Sequence, residues 1–320
     1  MGIWGDGCGL RWRRAASPVV VLVASVLFAA NAHSQEPSSL GCGLEAGPER
    51  AVAAVLDGET VRLDDGKEVR LIGALAPRAS DVGAALARWP SQAATHAALS
   101  DLVLGRTVAL AFAGRREDRF GLVLAHLFVE DGGSRIWVQG RLVERGLARA
   151  APSPGNDACI GHLVERENAA RADNRGLWGN SAYAVRPADR PTELARYQGR
   201  WELVRGTVEA VSGTQSLVFV DLVSGEGAAR TDTQRERPRR VRLTWRRAIE
   251  RSLALAAPAR TLLGRDVLVR GWVGVRGGAP EIEILAAGQI EILQRAAPNS
   301  KTPSSNDGHE KTPGGDTTGR

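Results

Sequence analysis

From Val52 onward, apolar and polar positions alternate, or apolar residues run together, in short segments separated by turn residues. "AVAAVLDGETVRLDDGKEVRLIGAL" reads as three strands joined by tight turns, the second turn at Asp64-Asp65-Gly66. Short alternating runs between Asp-Gly signals are the pattern of half-buried hairpin strands. Pro77 ends the third strand, because proline has no amide hydrogen to give to a ladder. "DVGAALARWPSQAATHAALSDLVLG" has helical spacing, with Ala94, Ala98 and Leu102 on one side and Gly105 as the stop. "TVALAFAG" and "LVLAHLFVE" predict two more strands flanking the turn "RREDRFG". "SRIWVQGRLVERG" and "IGHLVERENAARADNRG" predict helices ending at Gly146 and Gly176. Three strands, a helix, two strands and two helices predict a small β-barrel with helices packed on it.

Residues 181–199, with two prolines, read as a linker to a second domain at 200–295. That domain opens with "RWELVRGTVEAVSG", "SLVFVDLV" and "RRVRLTWR" and continues through a short helix at "AIERSLALA". It closes with "RDVLVRGWVGVRGGAPEIEIL" and "GQIEIL". Short strands at this spacing predict another small antiparallel barrel. Residues 296–320 are Ser, Thr, Pro, Gly and charge, with almost nothing to bury, and are expected to be disordered.

The first 34 residues do not belong to either domain. Arg11, Arg13 and Arg14 precede the apolar run "VVVLVASVLFAA" and then "AHS". A basic start, a short apolar run and small residues predict a secretory signal peptide. The run is shorter than the roughly 20 apolar residues that span a bilayer, so no membrane span is expected after cleavage. The expected location is therefore exported, periplasmic or secreted. Loss of the signal removes Cys8 and leaves Cys42 and Cys159, for which a disulfide is the favoured reading in an oxidising compartment. Cys159 and His162 lack two further ligands for a zinc site.

Net charge is +6, and the excess lies in the second half, where eight arginines fall between Arg235 and Arg251. A basic cluster points to phosphate-bearing partners. With only three lysines in the chain, however, arginine is also simply the default cation here.

"VLDGETVRL", "VRLIGALAP", "LVLGRTVAL", "EDRFGLVLAHLF", "WVQGRLVERGLAR" and "ENAARADNRGLW" together resemble the thermonuclease (staphylococcal nuclease-like) family, over residues 50–180. The resemblance implies a mainly β, α+β fold: an oligonucleotide-binding-type (OB) five-stranded barrel with three helices, placed here at 41–180. The second half is similar in pattern to a further OB-type barrel. Family members cleave phosphodiesters with a calcium ion held by carboxylates, a glutamate near the attacking water and two arginines on the phosphate. A hard cation needs several oxygen ligands, and the transition state builds negative charge that metal or arginine must neutralise.

Carried across, the family's "DGDT" is "DGET", so Glu59 stands where a metal-binding aspartate is expected. Arg70 keeps the first phosphate arginine. The family's "D-T-P-E" aligns with Leu75-Ala76-Pro77-Arg78, which removes a carboxylate ligand and puts a cation in place of the catalytic glutamate. Leu122 follows Asp118-Arg119-Phe120-Gly121, where the second arginine belongs. Among the remaining polar groups, Asp57 reads as a turn cap, and His126 on an apolar strand reads as a packed residue.

Two readings stay open. In one, the chain is a non-catalytic binding module for nucleic acid, another anionic polymer or an envelope protein, and it needs no metal or cofactor. Arg78, Trp245, Arg246 and Trp272 are its candidate contacts, since arginines meet phosphates and aromatic rings stack on bases. With eight tryptophans in the chain, most are expected to pack in cores. In the other reading, Glu59 and Arg70 serve a working nuclease with an altered site that takes Ca2+ or another divalent ion. An ion pair between Arg78 and Glu59 would argue against catalysis.

Overall fold

The computed structural model describes residues 42–82, 90–223, 240–253 and 258–293, all within one compact unit. The expected signal peptide, the start of the arginine-rich stretch up to residue 239 and the expected tail lie outside the described residues.

Strands β1 (Glu45–Val55), β2 (Thr60–Leu63) and β3 (Glu68–Leu71) follow one another as antiparallel neighbours. Gly73, at φ +81°, then turns the chain into a separate short strand β4 (Gly73–Leu75). Helix α1 (Pro90–Val103) precedes β5 (Thr107–Phe112) and β6 (Val123–Asp131). Because β3 pairs in parallel with β6 and β5 pairs with β1, the ring β1-β2-β3-β6-β5 closes into a five-stranded barrel. Leu71, Leu99, Leu127, Trp137, Leu142 and Leu163 are fully buried around it.

The helix expected from Ser134 starts later than the sequence pattern indicated. Gly132 and Gly133, both at positive φ, make a hairpin turn, and β7 (Ser134–Trp137) pairs back onto β6. Only then does α2 (Val138–Glu144) begin. Its buried Gln139 accepts from the Leu127 amide (3.1 Å) and donates to the Ala125 carbonyl (2.9 Å). That side chain satisfies the stretch of β6 that β7 does not reach, as buried backbone groups require. Strand β8 (Arg149–Ala151) pairs with β4, and α3 (Ile160–Ala172) follows. The expected disulfide is present between Cys42 and Cys159, with Cα atoms 5.1 Å apart.

His126 is fully buried, and its Nδ1 accepts from Trp137 Nε1 at 3.2 Å. Burial lowers its pKa from 6.5 to about 4, opposed in part by the Ala158 backbone. It is a neutral core residue, as the apolar strand around it implied. Between pH 6.5 and about 4 the unfolded chain takes up a proton that the folded chain refuses. Its contribution is therefore full above pH 6.5 and declines as pH falls through that window, by about 3 kcal/mol in all. Denaturant titrations at pH 7 and pH 4.5 should show this loss in the native chain and most of it gone in His126→Gln. An equal pH dependence in both proteins would show that His126 is not its source.

The stretch read as a linker holds 3-10 turns at Ser181–Tyr183 and Ala195–Tyr197, with β9 (Arg186–Pro187) and α4 (Pro191–Leu194), and a further 3-10 turn precedes it at Gly176–Gly179. Beyond it come β10 (Trp201–Gly213), β11 (Leu217–Val223), β12 (Val241–Arg246), β13 (Asp266–Arg276), β14 (Ala279–Glu283) and β15 (Ile290–Ile292). The ring β10-β11-β12-β14-β13 closes a second five-stranded barrel, again with its one parallel pair between third and fifth strands. The two barrels share one strand order.

They also share a buried interface. Ala170, Leu177, Trp178 and Tyr183 pack with Leu203 and Leu268 from the outer face of β10 and β13. Within it, Arg270 and Glu167, both 0% exposed, are 3.0 Å apart.

Candidate functional site

The turn between β1 and β2 is built around its acids. Asp57 Oδ1 accepts from the Glu59 amide at 2.8 Å, the capping role read from the sequence. Gly58 is required where it stands, since a Cβ there would lie 2.8 Å from the Ala76 Cβ. This close approach brings Glu59 against the segment that follows β4. Glu59 is buried; its Oε2 accepts from the Ala76 amide at 3.1 Å, and its Oε1 is ion-paired with Arg78 Nη2. Both oxygens of the one carboxylate at the expected metal position are thus engaged inside the protein. Leu75 and Ala76 beside it are buried and apolar. Among the described residues, no three His, Cys, Asp or Glu side chains are grouped so that they could hold a metal ion.

Arg70 lies on β3 directly across from Thr60, and its Nη1 is 4.0 Å from Asp118 Oδ2. Asp118 is committed to its own turn, accepting from the Phe120 (2.8 Å) and Leu122 (3.0 Å) amides. Two atoms here have no hydrogen-bond partner among the described residues: Arg70 Nε and the Thr60 hydroxyl. The guanidinium therefore retains donor capacity beside a hydroxyl, in a place with no paired acids.

Downstream of Arg78 stands a group of residues that sequence reasoning missed. The Asp81 carboxylate Oδ2 accepts from the Arg78 amide (2.9 Å), Arg149 Nη2 (2.8 Å) and the Tyr183 hydroxyl (3.2 Å). Arg200 donates to the Asp81 carbonyl at 2.8 Å, and Arg149 also donates to the Trp201 carbonyl at 2.9 Å. Arg149, Tyr183 and Arg200 lie 68 to 119 residues from Asp81 in sequence, so no local pattern connects them to it. Together they fix the turn after Arg78 to both barrels.

The aromatic candidates part company. Trp245 is 1% exposed in the core of the second barrel and offers no ring for stacking, which corrects its reading as a contact. It lies at an inward position of β12, whereas its neighbour Arg246 is exposed. Trp272 is 48% exposed on the outside of β13. The structure thus brings Glu59 and Arg78 together, places Arg70 on the adjoining strand, and leaves Arg246 on a different strand pair.

The turn-and-arginine framework is carried by a closed five-stranded, OB-like barrel. Residues 68–180 match the family model described as Staphylococcal nuclease homologue, and this segment is a domain of that kind. Arg70 and Arg78 fall within the matched residues, while Glu59 lies just ahead of them. No curated protein matches the chain.

Proposed function

We propose that the protein is an exported, non-catalytic binding protein for anionic polymers, built on a nuclease-like barrel whose metal chemistry has been replaced. The observation that carries this reading is the state of Glu59, whose carboxylate is occupied by the Ala76 amide and the Arg78 guanidinium. Calcium takes six to eight oxygen ligands in roughly this kind of site, and a cation already sits against the best ligand. Loss of a general base alone costs about 10²–10⁴-fold in rate. Arg70 and Arg78, about half-exposed, remain on the surface to meet phosphates or similar groups. Export is supported by the basic and apolar start of the chain and by the Cys42–Cys159 disulfide.

Purified protein incubated with single-stranded DNA and calcium, magnesium or manganese should leave the DNA intact. It should bind the same DNA at low salt and release it as salt rises, because neutralised phosphates give up counterions. Arg70→Ala should weaken binding and lower the salt slope by about one. Metal-dependent hydrolysis that disappears in Glu59→Ala would instead establish a working nuclease.

A further inference from the structure

The first barrel has a second concave place, at the other end of β2 and β3 from Glu59 and Arg70. There β1 carries an extra residue against β5: Ala46 pairs with Ala111, and the next pair is Glu49 with Ala109. Such a bulge bends its strand and interrupts the ladder, and bulges gather at barrel rims. Gly47 and Pro48 form it, and each suits the place. A Cβ on Gly47 would lie 2.6 Å from the Phe112 ring, and Pro48 has no amide to leave unpaired. β1 meets β2 only from Val52 onward, so Pro48 and Arg50 run past the end of β2. A cavity of about 250 Å³ opens beside the bulge. Leu63, Leu110, Phe112 and Val123 give it apolar surface from the barrel core, and Arg50, Asp65, Lys67, Arg116 and Glu117 give it charge.

The charged groups are not alike. Arg116 is ion-paired with Glu45 and lies over the Phe112 ring, 4.5 Å from its centre, and Arg50 is 3.9 Å from Asp65. Lys67 and Glu117, both exposed, have no ion-pair partner among the described residues. One cation and one acid are therefore left uncommitted around a single apolar cavity. At the roughly 30 Å³ that a water-sized group takes in a liquid, the space holds about eight non-hydrogen atoms.

We propose that this cavity binds a free amino acid with an apolar side chain, of about the size of leucine. The side chain lies against Leu63, Leu110 and Val123, the carboxylate meets Lys67 and the ammonium meets Glu117. The proposal is independent of the polyanion reading and uses none of Glu59, Arg70 and Arg78. A small zwitterion is the occupant that satisfies both uncommitted groups. An alkyl carboxylate would satisfy Lys67 alone, and an alkylamine Glu117 alone.

The test is an NMR titration of the full chain with L-leucine, 4-methylpentanoate, which lacks the ammonium, and 3-methylbutylamine, which lacks the carboxylate. Leucine should bind more tightly than either. Valine should bind about four-fold more weakly than leucine, the equivalent of about 0.8 kcal/mol for one buried methylene. Lys67→Gln should weaken leucine and 4-methylpentanoate by about two- to five-fold, the range of an exposed ion pair, without weakening the amine. Glu117→Gln should weaken leucine and the amine to the same degree without weakening the carboxylate. Because each variant keeps one ligand, a loss of the others does not come from misfolding. Leucine that fails to bind at millimolar concentrations, or that binds both variants as it binds the native chain, would overturn the proposal. Binding of 4-methylpentanoate without binding of leucine would show that the cavity takes carboxylates and would overturn the zwitterion assignment.

Discussion

Replacing Arg270 with alanine should cost about 3–5 kcal/mol of folding stability, the loss expected when one partner of a buried ion pair is removed. Arg270 is fully buried and donates to Glu167 Oε2 (3.0 Å), Glu291 Oε2 (3.2 Å) and the Gly288 carbonyl (2.7 Å). Glu167 is equally buried, and its other oxygen accepts from the Ala150 amide at 2.8 Å. Without the guanidinium, the Glu167 carboxylate would lose its direct ion-pair partner and keep only the nearby charge of Arg171. The surrounding apolar groups could not solvate it. The pair itself need not be strongly stabilising, since removing both ions together is often nearly neutral. Arg270→Met combined with Glu167→Gln should therefore recover much of what Arg270→Ala loses. Denaturant unfolding of the three proteins measures this. A loss below about 1 kcal/mol in Arg270→Ala would mean that water reaches the pair.

Opening the disulfide should have an effect of similar size. Cys42 precedes β1 and Cys159 stands immediately before α3, so the bond closes a loop across 117 residues of sequence. Cross-linking restricts the unfolded chain, and for loops of roughly this length the chain-entropy treatment gives about 4–5 kcal/mol. Measured values run lower where the native geometry is disturbed. Cys159 is held at φ +63°, a left-handed conformation that non-glycine residues seldom adopt. Denaturation with and without reductant should differ by about 3–5 kcal/mol in the native chain. The variant with both cysteines changed to serine should be insensitive to reductant and match the reduced native chain. A reductant effect that persists in that variant would show that the bond is not responsible.

Much of the architecture could be read from local pattern. The hairpin turns and the glycines after α1 and α2 act through their own backbone, but the third strand breaks at Gly73 ahead of Pro77, and α3 ends at Ala172, with Asn174 at φ +52°, short of the expected Gly176. The late start of α2 was legible too, in Gly132-Gly133, but the apolar spacing after it concealed the hairpin. The site divides in the same way. Glu59, Arg70 and Arg78 announce themselves by their places in a motif. Asp81, Arg149 and Arg200 do not, because each is an ordinary charged residue until the second barrel packs against the first. Likewise, Trp245 and Trp272 look alike in sequence. What separates them is which side of a strand each occupies and what covers that side.

The shared interface also bears on how the molecule can be divided. A cut within 181–199 would follow the apparent domain boundary, yet it would strip cover from Leu177 and Tyr183 on one piece and from Trp201, Leu203 and Leu268 on the other. It would also separate Glu167 from Arg270 and Asp81 from Arg200. Each fragment would present a greasy face studded with charges, prone to self-association, and the turn bearing Arg78 would lose its anchor. The two barrels are modular in topology but indivisible as a material object.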